Sequence, residues 1–333
     1  MTVKDGISKH FILTYLISKY GVAFKDRYKS NLLISYLSKD DLYAIPIPIF
    51  SKKIQDKIDD LFGGIFSKQK LSKLIYQEAE QLLLKELDLA NWKPTNQNNN
   101  TKTFKESFET NGRFDAEYYQ PKYDEMLAKL SSIKKDSLLT LVDIKKSIEP
   151  GSDAYTETGI PFVRVANLSK YEITQPDIHL PVDIVESPDT LFPRKDTILL
   201  SKDGTIGIAY KVEDDVPIIT SGAILHLQLK TKTVLPDYLT LVLNSKVVQM
   251  QAERDSGGSI IQHWRIEQIY NIKIPILPMS IQNEIVQKVQ ESFRLRKQSK
   301  ELLERAKRAV EIAIEQNEEE ALKYLNDSHE QEM

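Results

Sequence analysis

The chain contains no cysteine among its 333 residues. Disulfides, thiolate metal sites and cysteine nucleophiles are therefore excluded together. Long apolar runs are lacking as well, because no stretch approaches the ~20 residues that a bilayer span requires. The N-terminal segment also has no apolar core of a secretory signal. These absences predict a cytoplasmic protein without a membrane partner.

Motifs for nucleotide or metal chemistry are also missing from the sequence. It has no GxxxxGK phosphate loop, and no GxGxxG follows a strand pattern. The five histidines have no spacing that would place two of them on one helix face, which argues against a metal site. Ser201 and Ser221 lack a visible His/Asp context that would activate a nucleophile. The sequence predicts a binding or assembly protein, not an enzyme, with no cofactor of its own.

An internal repeat is present at one fixed offset. Residues 11–86 match residues 238–313 without a gap, each position falling 227 residues further on. The Ile-Pro-Ile tripeptide Ile47–Ile49, for example, recurs as Ile274–Ile276. Because a repeated sequence folds into a repeated unit, we expect the two segments to adopt the same local structure.

Each copy of the repeat ends in a long helical pattern. Apolar or small residues recur in alternating steps of four and three, which is typical of a coiled-coil seam, with polar residues in its middle. If the helices lie antiparallel, these polar layers meet and fix the register. The alternative is two unrelated amphipathic surface helices. The predicted seam positions are Ile58, Phe62, Ile65, Gln69, Ser72 and Ala79 in the first helix, and Ile285, Val289, Arg296, Ser299, Leu303 and Ala306 in the second.

Patterning along the chain predicts an α/β (α+β) domain together with two long helices. The first segment repeats only the last third of the complete domain, so the front two-thirds of a first domain are absent. We expect a domain remnant over residues 1–50, a long helix over 51–90, an Asn-rich linker over 91–103, a complete domain over 104–280, and a second long helix with an acidic tail over 281–325.

Several shorter elements can also be predicted. Apolar patterns indicate single helices over residues 10–20 and 236–253, and strands over residues 44–49 and 138–144. The Asp203-Gly204 pair indicates a tight turn between two strands, because glycine accepts a positive φ.

Three spaced motifs resemble one protein family. The Arg113–Asp115 triplet with residues 117–123, the Ser-x-x-Gly-Thr-Ile-Gly core within Ile198–Ala209, and the Ile-Pro-Ile junction within Ile272–Val286 are similar to motifs of the specificity subunit of type I restriction-modification systems. Residues 45–58 carry the same junction in the first repeat. The chain thus resembles such a subunit with a truncated first target recognition domain.

This resemblance implies a function. Such subunits carry two target recognition domains in inverted orientation, held apart by two antiparallel helices, and each domain reads half of a split target in double-stranded DNA. The helices dock methyltransferase subunits, and a restriction subunit joins them. S-adenosylmethionine, ATP and magnesium then belong to partner subunits. A chain with one complete domain could also self-associate through the coiled coil.

Candidate DNA-reading residues are polar side chains on loops, because these have the donors and acceptors that groove edges require. Three clusters and one weaker candidate fit. Each also has an ordinary structural interpretation, as a strand-surface pair, turn chemistry or a surface loop, and Trp264 beside the third cluster is expected to pack. The candidates are Arg164 and Asn167; Lys202, Asp203 and Thr205; Ser256, Ser259, Gln262, His263 and Arg265; and, more weakly, Ser221.

The charge of the complete domain leaves two hypotheses open. Residues 104–280 contain 25 acidic and 20 basic residues, a net charge of -5. Phosphate contacts usually dominate affinity for DNA, so such a balance is unusual for a DNA reader. Partner subunits could supply the backbone contacts while this domain reads bases. Alternatively, the chain is a silent or decayed cassette that binds methyltransferase subunits without reading DNA.

Overall fold

A computed structural model of the protein describes residues 3, 6–29, 36–97, 99–256 and 262–327. It divides into two compact units. Unit 1 combines Met1–Ile75 with Glu291–Met333, and unit 2 is Tyr76–Gln290. Each unit has its own core and is described separately below.

The secondary structure is mixed. The helices are α1 (Lys9–Ile17), α2 (Lys19–Tyr28), α3 (Lys39–Ala44), α4 (Lys52–Glu86), α5 (Phe108–Asn111), α6 (Pro121–Lys129), α7 (Leu138–Leu141), α8 (Pro236–Asn244), α9 (Lys246–Ser256), α10 (Ile266–Tyr270), α11 (Met279–Glu315) and α12 (Glu318–Asp327). The strands are β1 (Lys135–Ser137), β2 (Val142–Lys146), β3 (Ile160–Val163), β4 (His179–Leu180), β5 (Ile198–Ser201), β6 (Ala209–Lys211), β7 (Ile219–Thr220), β8 (Ile224–Leu229) and β9 (Lys273–Pro275).

Unit 1 is helical, and its core joins α1 to the two long helices. Phe11, Ile58 and Ala306 are fully buried in one apolar cluster. The helix expected over residues 10–20 is two helices, because Ser18 takes an extended conformation and its hydroxyl donates to the Tyr15 carbonyl at 2.6 Å. A side chain at Gly21 would lie 2.2 Å from that same carbonyl, so the turn requires glycine.

The long helices pack antiparallel within unit 1. Ser292 Oγ donates to the Ser72 carbonyl at 2.8 Å, and Ser299 Oγ donates to the Ile65 carbonyl at 3.4 Å. Residue numbers fall on one helix as they rise on the other. The predicted antiparallel coiled coil is therefore confirmed, and small hydroxyl side chains let the two backbones approach.

Most of the predicted seam positions are buried, but Gln69 is exposed and lies outside the seam. Two helical turns separate Ile65 from Ser72, so positions 68 and 69 flank the seam on either side. Of these two, Lys68 is half-buried, and its Nζ donates to Gln298 Oε1 on α11 at 2.8 Å. Arg296 and Leu303 are half-buried. The buried positions are Ile58, Phe62, Ile65, Ser72, Ala79, Ile285, Val289, Ser299 and Ala306.

Unit 2 contains the sheets of the α/β (α+β) domain. A four-stranded antiparallel sheet has the order β2-β8-β5-β6, and a three-stranded mixed sheet has the order β4-β3-β7. Each sheet carries an apolar cluster, one around Leu199 and the other around Phe162. Strand β9 pairs antiparallel with β1. Long helices and mixed sheets together confirm the predicted fold class.

Three short elements differ from their predictions. The expected strand over residues 138–144 is a helical turn, α7, followed by β2. The expected helix over residues 236–253 breaks at Ser245, whose hydroxyl donates to the Val242 carbonyl at 2.7 Å. Residues 45–50 form no strand, because no strand in the described part of the chain pairs with them.

The internal repeat is also a structural repeat. Helices α8, α9 and α11 each start 227 residues after α1, α2 and α4. Even single hydrogen bonds recur at this offset. Gln55 Nε2 donates to the Phe50 carbonyl and Gln282 Nε2 to the Leu277 carbonyl, at 2.8 and 2.9 Å. The two segments have the same local fold.

Candidate nucleic-acid interface

Backbone hydrogen bonds in unit 2 bring two of the predicted clusters together. The amide of Gly204 donates to the Gln262 carbonyl at 3.0 Å, and that of Trp264 donates to the Lys202 carbonyl at 2.8 Å. The turn after β5 is thereby joined to the segment before α10. Sixty residues of sequence separate these two segments, so only the fold makes them neighbours.

Asp203 is the centre of this contact. Its Oδ1 lies 2.8 Å from Nδ1 of His263, and its Oδ2 forms an ion pair with Lys202. The His263 ring is mostly exposed, whereas Lys202 and Asp203 are largely shielded. Asp203 therefore holds a donor on each side while leaving the histidine open to a ligand.

Two hydrogen bonds of the Ser201 hydroxyl hold the turn in place. Ser201 Oγ donates to the Thr205 carbonyl at 2.7 Å and accepts from the Ile208 amide at 2.9 Å. Gly204 has a φ of 72°, which agrees with the predicted tight turn. Thr205 is exposed at its tip. The turn can thus present its side chains with little loss of entropy on binding.

The first predicted cluster is held mainly by contacts within the protein. Asn167 Oδ1 accepts from the Arg164 amide at 3.0 Å, and the Arg164 guanidinium pairs with Asp177 at 3.0 Å. Ser221 is buried, and its amide donates to the Val163 carbonyl at 2.9 Å. Arg164 keeps a partly exposed guanidinium that could contact a ligand.

The remaining candidates differ in accessibility. Ser256 is buried at the end of α9, where its hydroxyl donates to the Ala252 carbonyl at 2.7 Å. Arg265 is exposed at the start of α10, and its amide donates to Gln268 Oε1 at 3.0 Å. Trp264 is fully buried, as a packing residue should be. Ser259 lies outside the described residues.

Lys146 and Glu149 lie near Ser221, although the sequence does not single them out. A side chain at Gly222 would lie 2.7 Å from Glu149 Oε2 and 2.9 Å from Lys146 Cε, so these groups adjoin the segment that carries Ser221. A parallel bridge between Ile148 and Ser221 creates this contact. No local sequence signal indicates it, because the bridge joins residues that are far apart in the chain.

The Arg113 motif at the front of the domain has a structural role. The Arg113 guanidinium makes two hydrogen bonds with Asp115, at 2.7 and 2.6 Å, and a third with the Asp255 carbonyl at 2.8 Å. Hydrogen bonding from Arg113 lowers the pKa of the Asp115 carboxyl. The motif ties the front of the domain to the end of α9, next to the third cluster.

Strand β8 carries a buried histidine, His226. His226 Nε2 is 2.8 Å from the Thr220 hydroxyl. Burial, with a smaller contribution from Lys145, lowers the pKa of His226 from 6.5 to about 4. The imidazole is therefore neutral at physiological pH and serves as a hydrogen-bonding core residue.

No group of three His, Asp or Glu side chains within the described residues could hold a metal ion. None of the described helices combines the length and the apolar character that crossing a membrane requires.

A family model matches this chain over residues 137–305, which is just over half of it, and the family is described as the type I restriction modification DNA specificity domain. The chain belongs to this family. The specificity subunit of the type I restriction enzyme EcoBI from Escherichia coli is 25% identical over 150 residues, which are 44% of this chain and 31% of that subunit. The chain thus matches about a third of that relative's length.

Solved structures of the same class are similar to the chain. The S subunit of the type I restriction-modification system from M. genitalium is 13% identical, with a TM-score of 0.39, over 95% of this chain and 72% of that one. The HsdS subunit from Thermoanaerobacter tengcongensis is 13% identical, with a TM-score of 0.37, over 92% of this chain and 70% of that one.

Proposed function

We propose that the chain is a non-catalytic subunit that reads one half-site of double-stranded DNA for a type I restriction-modification complex. The observation that carries this proposal is the convergence of the Lys202–Thr205 turn with residues 262–265 around Asp203. Family membership supports DNA as the ligand. Catalysis belongs to the partner subunits, and so do S-adenosylmethionine, ATP and magnesium.

The chemistry of this surface suits base edges in a major groove. Lys202 and Arg265 are donors for guanine, whose O6 and N7 both accept, and Thr205 can donate or accept. His263 adds a further ring nitrogen. Together these side chains offer mainly donors, so we expect guanine to be prominent in the half-site. The partly exposed Arg164 and the exposed Lys146 add two further cationic side chains for a flanking base or phosphate.

Docking of partner subunits is assigned to the long helices. Within unit 1, α4 exposes the large apolar side chains Leu71 and Leu74, which lie one helical turn apart. Exposed apolar side chains that lie close together favour a protein partner. We assign this face to a methyltransferase subunit, with a restriction subunit joining the complex in the cytoplasm.

A second candidate function is docking without DNA reading. The net charge of -5 over residues 104–280 favours it, because repulsion from phosphates opposes binding. Both candidates predict a complex with methyltransferase subunits. They differ only in whether the complex selects a DNA sequence through this chain.

Selection from random duplex DNA separates the two candidates. The chain is co-purified with its methyltransferase subunit, and bound duplexes are sequenced. We expect an enriched motif, and Lys202→Ala and Arg265→Ala should each weaken binding to it by about 5- to 150-fold, since one base contact contributes ~1–3 kcal/mol.

Lys232→Ala is the matched control, because Lys232 is an exposed cation between β8 and α8. It removes the same charge away from the interface and should leave the enriched motif unchanged. A complex that forms but enriches no motif would support docking alone.

A further inference from the structure

The segment 221–223 connects two groups of polar side chains at one end of the four-stranded sheet of unit 2. On one side, the Lys202 amide donates to the Ala223 carbonyl at 2.8 Å, at the start of the turn after β5. On the other side, Ile148 forms a parallel bridge with Ser221. The residues that follow β2 therefore lie beside this turn, although the two segments are far apart in the sequence.

Gly222 allows two charged side chains to lie directly against this segment. A side chain at Gly222 would lie 2.7 Å from Glu149 Oε2 and 2.9 Å from Lys146 Cε, which is closer than such atoms can approach. Gly222 is buried, whereas Glu149 and Lys146 are exposed. The Glu149 carboxylate thus lies against the backbone next to the candidate interface and remains open to a ligand.

The Glu149 carboxylate has no partner that would explain its place in the fold. Within the described part of the chain it forms no hydrogen bond and no ion pair, not even with the neighbouring Lys146. Asp203, on the adjoining turn, is instead paired with Lys202 and His263. An unpaired carboxylate repels phosphate, but it can accept hydrogen bonds from the amino groups of bases.

Two bases present an amino donor in the major groove, and they differ in what lies beside it. Cytosine exposes N4 without an acceptor of its own, whereas adenine exposes N6 next to the acceptor N7. A carboxylate has acceptors alone, so it suits cytosine and is repelled by N7 of adenine.

We infer that Glu149 is a specificity-determining residue, which accepts a hydrogen bond from N4 of a cytosine in the half-site. This inference rests on the proposed function. It adds an acceptor to a surface whose other side chains are mainly donors, and it gives a reading role to one of the acidic side chains of this domain.

Selection from random duplex DNA with the co-purified complex tests the inference at one position of the motif. We expect a cytosine within about three base pairs of the position that Lys202→Ala affects, because both side chains adjoin the same short segment and base pairs rise ~3.4 Å each. Glu149→Ala should reduce the preference for this cytosine by about 5- to 150-fold. Glu149→Gln should shift the preference there toward adenine, because an amide can donate to N7 and accept from N6. The other positions of the motif should not change.

Asp214→Asn is the matched control. Asp214 is exposed after β6, at the edge of the four-stranded sheet opposite to β2. The substitution removes one negative charge, as Glu149→Gln does, and should leave every position of the motif unchanged.

The outcomes distinguish this inference from the proposed function. A motif that is identical with the unmodified chain and with both Glu149 variants would overturn the inference and leave the proposed function standing. Equal weakening of binding to all duplexes, with no change at a single position, would also overturn it, because a purely structural or electrostatic role has that effect. The absence of any motif with the unmodified chain would overturn both.

Discussion

Asp203 positions two of the residues proposed to contact DNA. It pairs with Lys202 through one oxygen and with His263 through the other. An acidic side chain repels phosphate, so its value at such a surface lies in orienting its neighbours. Removing it should release both donors while making the local charge more favourable to DNA in general.

We therefore predict opposite effects of Asp203→Ala on two affinities. Binding to random duplex should strengthen slightly, because a negative charge is lost. Preference for the target over random duplex should fall by about 5-fold or more, since misplaced donors lose part of a ~1–3 kcal/mol base contact. Fluorescence anisotropy with the co-purified complex measures the ratio of the two affinities.

Asp214→Ala is the matched control for this prediction. Asp214 is exposed on the loop after β6, and its replacement by alanine removes the same negative charge elsewhere on the domain. An identical loss of preference in the two variants would mean that Asp203 acts only through its charge.

His226 makes the stability of the protein depend on pH. The unfolded chain binds this proton below about pH 6.5, but the folded chain binds it only near pH 4. The free energy of unfolding should therefore fall by about 3 kcal/mol as the pH drops from about 6.5 to about 4. Below about pH 4 the contribution of His226 should stay constant. Urea unfolding across the window measures the slope. His226→Gln should flatten it, and an unchanged slope would show that His226 is not the group responsible.

For single residues, the sequence predicts which side chains have suitable chemistry better than it predicts where they lie in the fold. Lys202, Asp203, Gln262 and His263 could be singled out as loop polar residues, but their mutual contact depends on backbone pairing between distant segments. Ser256 and Ser221 satisfy the same chemical criterion and are nevertheless buried. Burial depends on tertiary packing, which a list of donors and acceptors does not contain.

The two glycines of α4 occupy different environments. A side chain at Gly63 would meet open space, whereas one at Gly64 would lie 3.2 Å from Cδ1 of Leu302 on α11. Alanine gains ~1 kcal/mol over glycine in a helix interior, because glycine loses more backbone entropy on folding. The gain in stability should therefore appear only where the new methyl group meets open space.

We predict that Gly63→Ala raises the free energy of unfolding by about 0.5–1 kcal/mol. Gly64→Ala should gain less, or nothing, since Leu302 must move away from the new methyl group. Urea unfolding of the two single variants at one pH compares them directly. Equal stabilisation by the two substitutions would contradict the close packing of α4 against α11 at Gly64 and Leu302.

Long helices are the elements that the sequence predicts best. The repeat of the seam pattern over many turns predicts the two long helices, and α4 and α11 each begin within two residues of the predicted start. The strand expected over residues 44–49 shows the limit of such reasoning. Its apolar pattern matches that of β9, yet only β9 has β1 beside it. Whether an extended segment becomes a strand depends on its neighbour.

At the scale of the whole molecule, one repeated segment occurs in two different contexts. The second copy lies in unit 2 with the sheets, while the first lies in the helical unit 1 with the ends of the chain's long-helix pair. The repeat could be found from sequence alone, because its offset is constant. The exposure of the first copy could not, because it depends on what covers the same residues in the second.

Methylome sequencing most directly tests the claim that this chain selects a DNA sequence. Cells express the methyltransferase subunit with the chain, without it, or with its Arg265→Ala variant. We predict a new methylated motif that requires the chain and is weakened or lost with the variant. A complex that still co-purifies but adds no methylated motif would contradict the account.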